Sequence, residues 1–256
     1  MTSQEKRLKE IIQILEQKNQ LTTREIMKEF GISFDTARRD IIRLTNTGRA
    51  VRFHGGLMKL EHDNVPGFSA RRQIQSPLKK QLAKLALEFI RSNGCYFVSS
   101  STTLLQFCQL CQGMNITIVT NSIDNAVQML TSDYPQVILL GGALNKENHY
   151  TYSPETINQL DNYNFDMALF GTSRLTDQGA FVVNGTDAAT NRKAAQQAQS
   201  RLLVAEKHKF AAANSSPHRI LKPDQIDILV TDQPVRKDYQ NWFGSGLTVR
   251  YPERSN

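Results

Sequence analysis

The stretch LTTREIMKEFGISFDTARRDIIRL, Leu21–Leu44, predicts the fold of the N-terminal part of the chain. Its apolar residues form two stripes with helical spacing, separated by Gly31, which can adopt the positive φ of a tight turn. Thr22 or Thr23 can cap the first helix, and Ser33 can cap the second. This pattern is typical of a helix-turn-helix, in which two short amphipathic helices meet at a turn.

The second helix has the chemistry of a DNA recognition helix. Ala37, Ile41 and Leu44 share its apolar side at i, i+4 and i+7, so hydroxyl and guanidinium groups face outward. Such groups can bond phosphates and base edges in the major groove. An ordinary helical hairpin with solvated arginines is the alternative. The predicted DNA contacts are Thr23, Ser33, Phe34, Thr36, Arg38, Arg39, Arg43, Arg52 and His54.

These contacts are expected to have two different roles. Thr36, Arg38 and Phe34 are expected to read base edges, and the other basic residues to hold the phosphate backbone. An alternative role for Arg39 is structural, through pairing with Asp35 four residues earlier or in the neighbourhood of the aspartate that follows it.

The flanking sequence completes a winged helix. Residues 7–17 predict a further helix, and Gly48 is expected to end the recognition helix. The stretch RAVRFHGGLMKL, Arg49–Leu60, then predicts two short strands around Gly55-Gly56, a basic hairpin that can lie along the phosphate backbone. The upstream helix carries one apolar stripe, formed by Leu8, Ile11, Ile12 and Leu15.

The distribution of charge supports a DNA-binding head. The chain has 31 Lys+Arg and 24 Asp+Glu, a net charge of +7. Residues 1–60 hold 12 basic and 7 acidic residues, so this quarter of the length carries most of the excess positive charge. RNA or an anionic membrane could also attract a basic head, but a capped recognition helix favours duplex DNA, and no segment is apolar enough to anchor in a membrane.

Composition places the chain among cytoplasmic globular proteins. It has no signal peptide and no apolar run near the roughly 18 residues that a transmembrane helix needs. Three cysteines without a secretory signal fit a reducing compartment. Cys108 and Cys111 form a lone CxxC, a weak zinc signal whose alternative is two half-buried thiols on one helix face. No metal and no cofactor are predicted.

The chain divides into a head, a linker and a body. The winged helix is assigned to residues 1–60, and the linker to residues 61–76, which contain Pro66 and Gly67 and little apolar periodicity. The body is assigned to residues 77–256. It begins with a helix that has Pro77 at its first position and runs through Leu82, Leu85, Ala86 and Phe89.

The body has the pattern of a largely parallel α/β sheet. Short apolar runs end in small polar residues, and helical periodicity follows several of them, as in Leu104–Leu110 and Ile123–Leu130. The predicted strands are Tyr96–Val98, Thr117–Val119, Val137–Leu140, Met167–Phe170, Leu202–Ala205 and Ile228–Val230.

The loops at the carboxyl ends of such strands form a ligand crevice. The Ser/Thr-rich loop after the first strand offers hydroxyls and backbone N–H groups at a helix N-terminus, where an anion is favoured. For that loop, a helix cap without a ligand is an equally good interpretation. Gly141-Gly142 could instead form a tight turn, and each basic residue of the body could instead be a solvated surface charge. The candidate effector contacts are Ser99, Ser100, Ser101, Thr102, Thr103, Thr120, Asn121, Gly141, Gly142, Arg192, Lys193, Glu206 and Lys209.

Nearly the whole chain resembles the DeoR family of transcriptional regulators. The N-terminal motifs FGIS, TARRDIIRL and GRAVRFHGG are similar to the family's helix-turn-helix signature. The resemblance implies a sensor domain related in fold to ribose-5-phosphate isomerase. It also implies a repressor of a sugar or nucleoside catabolic operon, released by a phosphorylated sugar, and a homo-oligomer, which we expect to be a homodimer or homotetramer.

The body departs from the family pattern at the crevice. Where the family usually has Asp-x-Gly-Thr-Thr, this chain has Ser99-Ser100-Ser101-Thr102-Thr103, and Arg174 replaces a usual glycine. The family's Asp-x-x-Lys-Phe is Glu206-Lys207-His208-Lys209-Phe210, and its helix lysine falls on Arg192 or Lys193. The hydroxyls and cations that would hold a phosphate are kept, whereas the acidic residue that would hold sugar hydroxyls is partly lost. We therefore expect an anionic effector, without specifying an ordinary sugar phosphate.

Two classes of function remain. A DNA-binding repressor with an anionic effector fits all the features, and an activator shares them. The other class is an isomerase-type or deaminase-type enzyme with a helical appendage. Enolisation would need a carboxylate base and a nearby electrophile in the crevice. Ser99 stands where one carboxylate might have been, and only Asp187 and Glu206 are obvious carboxylates left there. No catalytic residue is therefore predicted.

Overall fold

The computed structural model describes residues 3–46, 50–53, 55–59, 68, 76–212 and 215–253. In the N-terminal domain three helices share one apolar core, and three strands form a sheet in the order β1-β3-β2. This arrangement confirms the predicted winged helix. Its elements are α1 (Ser3–Lys18), β1 (Gln20–Thr22), α2 (Thr23–Phe30), α3 (Phe34–Asn46), β2 (Ala50–Phe53) and β3 (Gly56–Lys59).

Local capping interactions set the helix-turn-helix. Thr22 Oγ1 accepts a hydrogen bond from the backbone N–H of Glu25 at 3.2 Å, and the Glu25 carboxylate accepts one from the N–H of Thr22 at 2.7 Å. Gly31 has φ 60°, as the turn requires, and Ser33 Oγ accepts from the N–H of Thr36 at 3.3 Å. Of the two threonines considered from the sequence, Thr22 is therefore the cap.

The wing contains one strand more than predicted. β2 and β3 form the expected hairpin, and β1 adds to its other side, with Leu21 opposite Leu57. A side chain at Gly56 would place its Cβ 2.1 Å from the carbonyl oxygen of Leu21, so the close approach requires glycine. The predicted helix end at Gly48 lies outside the described residues.

The C-terminal domain is built on a seven-stranded sheet in the order β15-β14-β12-β9-β4-β5-β6, in which every described pairing is parallel. The predicted strands correspond to six of these seven. The strands of the domain are β4 (Cys95–Val98), β5 (Thr117–Thr120), β6 (Gln136–Leu139), β7 (Ala143–Asn145), β8 (Tyr150–Tyr152), β9 (Phe165–Gly171), β10 (Arg174–Thr176), β11 (Gly179–Val182), β12 (Ala198–Val204), β13 (His218–Leu221), β14 (Ile228–Val230) and β15 (Thr248–Arg250).

Both faces of this sheet are covered by apolar layers. Along β4, Tyr96 and Val98 point into one layer and Phe97 into the other. Helices α4 and α5 pack in the first layer and α8 in the second. The helices of the domain are α4 (Pro77–Leu87), α5 (Thr102–Leu110), α6 (Ile123–Gln128), α7 (Pro154–Gln159), α8 (Gly185–Gln196) and α9 (Lys237–Gln240).

Several predicted boundaries were wrong. α4 has Pro77 at its first position, as expected, but ends at Leu87 and does not reach Phe89. α6 ends at Gln128, two residues before the predicted end. The edge strand β15, the β7–β8 hairpin and the antiparallel sheet β10-β11-β13 were not predicted, because each is short and depends on partners distant in sequence. None of the described helices is both long and apolar enough to cross a membrane.

Candidate functional site

The outward side of α3 carries the predicted base-reading residues. Arg38 and Arg39 are exposed, Phe34 is 55% exposed, and Thr36 is half-buried with its hydroxyl 3.0 Å from Ser33 Oγ. The opposite side buries the three apolar residues expected there, Ala37, Ile41 and Leu44. The helix therefore exposes guanidinium and aromatic groups to solvent, while its opposite side is packed in the core of the domain.

A buried charge pair attaches α3 to α1. Asp40 is fully buried, and its carboxylate accepts from Arg7 Nε at 2.6 Å and from Gln4 Nε2 at 2.9 Å. The partners of the Asp40 carboxylate are thus Arg7 and Gln4, and not Arg39, for which pairing near Asp40 was the alternative role. Arg43 Nη1 donates to Gln4 Oε1 at 2.7 Å. Arg43, which is predicted to contact the DNA phosphate backbone, therefore also has a partner within the protein.

Of the remaining predicted DNA contacts, Ser33 is the exposed cap of α3, and Thr23 begins α2 beside the wing. The backbone N–H of Thr23 donates to the carbonyl of Gly55 at 2.7 Å, and its hydroxyl donates to the same oxygen at 2.9 Å. These bonds fix the tip of the hairpin against the start of α2. The backbone of Arg52 lies in β2, while its side chain and the whole of His54 lie outside the described residues.

The C-terminal domain has a cleft of about 120 Å³ at the carboxyl ends of β4 and β9. In a parallel sheet this is where ligands bind. The cleft brings together the loop after β4, the loop before β8, the end of β9 and the N-terminal half of α8. Its lining residues are Ser100, Ser101, Glu147, Asn148, Tyr150, Gly171, Thr172, Ser173, Val182, Val183, Asn184, Asp187 and Asn191.

The Ser/Thr-rich loop contributes two of its five predicted residues directly. Ser100 and Ser101 line the cleft. Ser99 is buried behind them, and its Oγ accepts from the N–H of Gly171 at 3.3 Å, which joins the ends of β4 and β9. Thr102 and Thr103 are buried in the first turn of α5, whose N-cap is Ser101.

The next predicted effector contacts, Thr120, Asn121, Gly141 and Gly142, mainly hold loops together. Thr120 Oγ1 donates to the carbonyl of Val98 at 2.6 Å, and Asn121 Nδ2 donates to that of Thr151 at 3.2 Å. Gly142 has φ 127° and approaches the backbone of Tyr152 closely, as a tight turn does. Thr120, Asn121, Gly141 and Gly142 are not among the lining residues of the cleft.

The predicted cations of α8 are directed elsewhere. Arg192 is exposed, and its Nη1 donates to the carbonyl of Arg219 at 2.8 Å, while Lys193 forms an ion pair with Asp161. The residues that α8 places in the cleft are Asp187 and Asn191. Their i, i+4 spacing, in the stretch where the resemblance implies a helix, was the signal available in the sequence.

Glu206 and Lys209 belong to a separate charged cluster after β12. Burial raises the pKa of the Glu206 carboxyl, and Lys79 and Lys209 partly oppose that shift. Burial, reinforced by the neighbouring lysines, lowers the pKa of His208 to about 3, so this imidazole is neutral at pH 7. His208 therefore adds no positive charge to the cluster.

The CxxC cysteines are core residues. Cys108 and Cys111 are fully buried and free. Burial raises the pKa of Cys111 to about 12 and that of Cys108 well above its usual value, so both remain thiols. Among the described residues, no group of three or more His, Cys, Asp or Glu side chains is placed to hold a metal ion.

Both domains match known families. Residues 7–62 match the DeoR-like helix-turn-helix domain, and residues 74–233 match the DeoR C terminal sensor domain. These matches identify a transcriptional regulator and not an enzyme.

Curated relatives extend over nearly the full length. The HTH-type transcriptional repressor GlcR of Bacillus subtilis (strain 168) is 30% identical over 231 residues, covering 90% of this chain and 89% of that protein. The glycerol-3-phosphate regulon repressor of Escherichia coli (strain K12) is 24% identical and covers 88% of this chain and 89% of its own. The L-fucose operon activator of Haemophilus influenzae is 24% identical, with 91% and 93% covered.

Among solved structures, a D-ribose-5-phosphate isomerase in complex with phospho-erythronic acid is similar to 52% of this chain, with 53% of its own chain covered, 18% identity and a TM-score of 0.39. The fold of the sensor domain is assigned from its strand order, β15-β14-β12-β9-β4-β5-β6, and not from this similarity. Together, the family matches and the relatives show that this protein belongs to the DeoR family of transcriptional regulators.

Proposed function

We propose that this protein represses a sugar or nucleoside catabolic operon and is released from its operator by a phosphorylated sugar or a related anionic metabolite. A DNA-binding regulator acts where the chromosome lies, so we place it in the cytoplasm. The proposed division is residues 1–60 for DNA binding, 61–76 for the linker, and 77–256 for effector binding and assembly into a dimer or tetramer.

The exposed side of α3 supports the DNA half of the proposal. Thr36, Arg38 and Phe34 would read base edges, with Arg39 and the wing on the phosphate backbone. Two recognition helices in one oligomer would occupy successive major grooves of a repeated or palindromic operator.

The composition of the cleft is the observation that carries the effector half. Serine hydroxyls and the N-terminus of α5 lie on one side, where an anion is favoured. The carboxylate of Asp187 and the amide of Asn191 lie on the other side and can bond the hydroxyls of a sugar. A ligand that combines a phosphate with hydroxyl groups satisfies both sides.

A chain of contacts leads from the cleft to the segment between the domains. Ser100 Oγ donates to the carbonyl of Asn148 at 3.2 Å, and the next residue, His149, holds Asp124 at 2.5 Å. The ring of Phe68, a fully buried residue of the proposed linker, lies 5.6 Å from the His149 ring. We propose that a ligand against Ser100 moves this loop and, through Phe68, changes where the DNA-binding heads can sit.

A mobility shift assay at fixed salt tests this function. The probe is the DNA upstream of the gene and of its neighbours, and the competitors are sugar phosphates and their unphosphorylated parents. We expect specific binding that one phosphate ester releases. Specific binding that none of them releases would refute the effector half, and the absence of specific binding would refute the DNA half.

Activation is the second candidate, because a relative over most of the chain is named an operon activator. Transcript levels in a strain lacking the gene distinguish the two: derepression of the neighbouring operon supports the repressor, and loss of its induction supports the activator.

A further inference from the structure

Helix α8 contributes to the cleft lining an asparagine whose side-chain oxygen lacks a hydrogen-bond partner among the described residues. Asn191 is 1% exposed, and its Nδ2 donates to Asp187 Oδ1 at 3.3 Å. Its Oδ1 is buried and has no hydrogen-bond partner within the part of the chain that the structure describes. A buried acceptor without a partner is costly, so a ligand that donates a hydrogen bond to it is favoured.

The charged residues of the cleft lining also favour a ligand group that donates hydrogen bonds. Glu147 and Asp187 contribute two carboxylates, and the described lining residues include neither lysine nor arginine. The two nearest cations in sequence, Arg192 and Lys193, bond outside the cleft, to the Arg219 carbonyl and to Asp161. Helix α8 therefore contributes an acceptor-rich wall with the Asp187 carboxylate. Glu147 lies in the loop before β8, next to Asn148, whose carbonyl accepts from Ser100 Oγ.

The opposite wall has the reverse character. Ser100 and Ser101 line it, and Ser101 is the N-cap of α5, a helix of nine residues whose N-terminus attracts an anion. The cleft is thus polarised, with one wall suited to an anionic group and the other to hydrogen-bond donors.

We propose that the cleft selects an effector with a single anionic end, whose other end carries hydroxyl or amino groups that donate to Asn191 Oδ1, and that it rejects a second anionic group at that end. This inference rests on the proposed function and narrows its ligand class. Sugar monophosphates and amino-sugar monophosphates fit, whereas bisphosphates and phosphorylated sugar acids do not, because their second anion would face the carboxylate of Asp187 beside Asn191.

Matched ligand pairs test the proposal by calorimetric titration of the full-length protein. Glucose 6-phosphate is compared with 6-phosphogluconate, and ribose 5-phosphate with ribose 1,5-bisphosphate, with glucosamine 6-phosphate and inorganic phosphate as further probes. We expect the preferred monophosphate to bind at least about tenfold more tightly than its doubly anionic counterpart.

Substitutions at α8 locate the effect. Asn191→Lys should reduce or reverse the preference, because it places a cation opposite the second anion. Arg192→Gln is the matched control at the next position and should leave the preference within about twofold. An unfolding transition in the fluorescence of Trp242, which lies in the sensor domain, shows that this domain of each variant is folded. If Asn191→Lys does not fold, the preference of the wild-type protein decides alone.

The outcomes separate the inference from the proposed function. Equal binding within a pair, or tighter binding of the doubly anionic member, would overturn the inference and leave the proposed function intact. Binding of none of the sugar phosphates, with operator binding preserved, would overturn the effector half of the proposed function and this inference with it.

Discussion

Replacing Asp40 with alanine should destabilise the DNA-binding domain without affecting the sensor domain. Asp40 is fully buried and holds Arg7 at 2.6 Å and Gln4 at 2.9 Å, so it joins the recognition helix to α1. Breaking a buried pair costs about 3–5 kcal/mol. Because the Arg7 side chain keeps 17% exposure and can regain water, we expect the lower end, about 3 kcal/mol.

That loss is large for a domain of this size. At roughly 0.05–0.15 kcal/mol per residue, some 60 residues have a stability of about 3–9 kcal/mol. With an m-value near 1 kcal/mol/M in urea, the midpoint of the head should fall by about 3 M. Specific DNA binding should weaken accordingly, since part of the population is unfolded.

Two optical signals separate the domains during urea unfolding of the full chain. The single tryptophan, Trp242, lies in the sensor domain, where it packs on Tyr239 with ring centroids 4.3 Å apart. Its fluorescence follows that domain alone, while far-UV circular dichroism follows both. Asp40→Ala should move an early dichroism transition and leave the tryptophan transition unchanged.

Asp35→Ala is the matched control, because it removes an exposed carboxylate from the same helix. Its expected cost is below about 1 kcal/mol, from the lost interaction with the helix N-terminus. A head transition in Asp40→Ala that lies within about 0.5 kcal/mol of wild type would refute the structural role given to this buried pair.

Three further predictions concern signalling, DNA contact and pH. Phe68→Ala should keep operator and effector binding but lose effector-dependent release, measured as the ratio of DNA affinities with and without effector. An unchanged ratio would exclude Phe68 from coupling. Arg38→Ala should cost about 1–3 kcal/mol of operator affinity and relax base preference in a mobility shift, whereas Arg52→Ala should weaken all sequences similarly; operator affinity equal to wild type in Arg38→Ala would mean that the assigned face of α3 is wrong. Glu206→Gln should be more stable than wild type at neutral pH, because the raised pKa of Glu206 means that folding disfavours its ionised form. The difference between the two midpoints should grow as pH rises from about 4.5 through the folded-state pKa, and a constant difference would contradict the burial argument.

The sequence predicted best what local interactions determine. A cap at Thr22 or Thr23, the turn at Gly31 and the apolar stripe of α3 are all set within a few residues, and the structure has the cap at Thr22, the turn and the stripe. Strand β1 was missed because three residues carry almost no intrinsic signal. It exists through pairing with β3, whose residues lie more than thirty positions later.

Within the candidate site, helix phase limited the prediction. The sequence directed attention to the charges at Arg192 and Lys193, but one residue on a helix is a rotation of about 100°. The cleft instead receives Asn191, one turn after Asp187. Phe68 was missed for another reason: a lone aromatic in a polar, Pro-Gly-containing stretch has no periodicity, and its burial against the body depends on tertiary structure.

The most direct test of the central claim is the operator affinity of the full-length protein, measured at one salt concentration with and without a saturating phosphate ester. We expect one sugar monophosphate to weaken specific binding by at least about fivefold, within the usual range of allosteric coupling. Its unphosphorylated parent should have no effect. Operator affinity that stays the same with every phosphate ester would show that no sugar phosphate controls DNA binding by this protein.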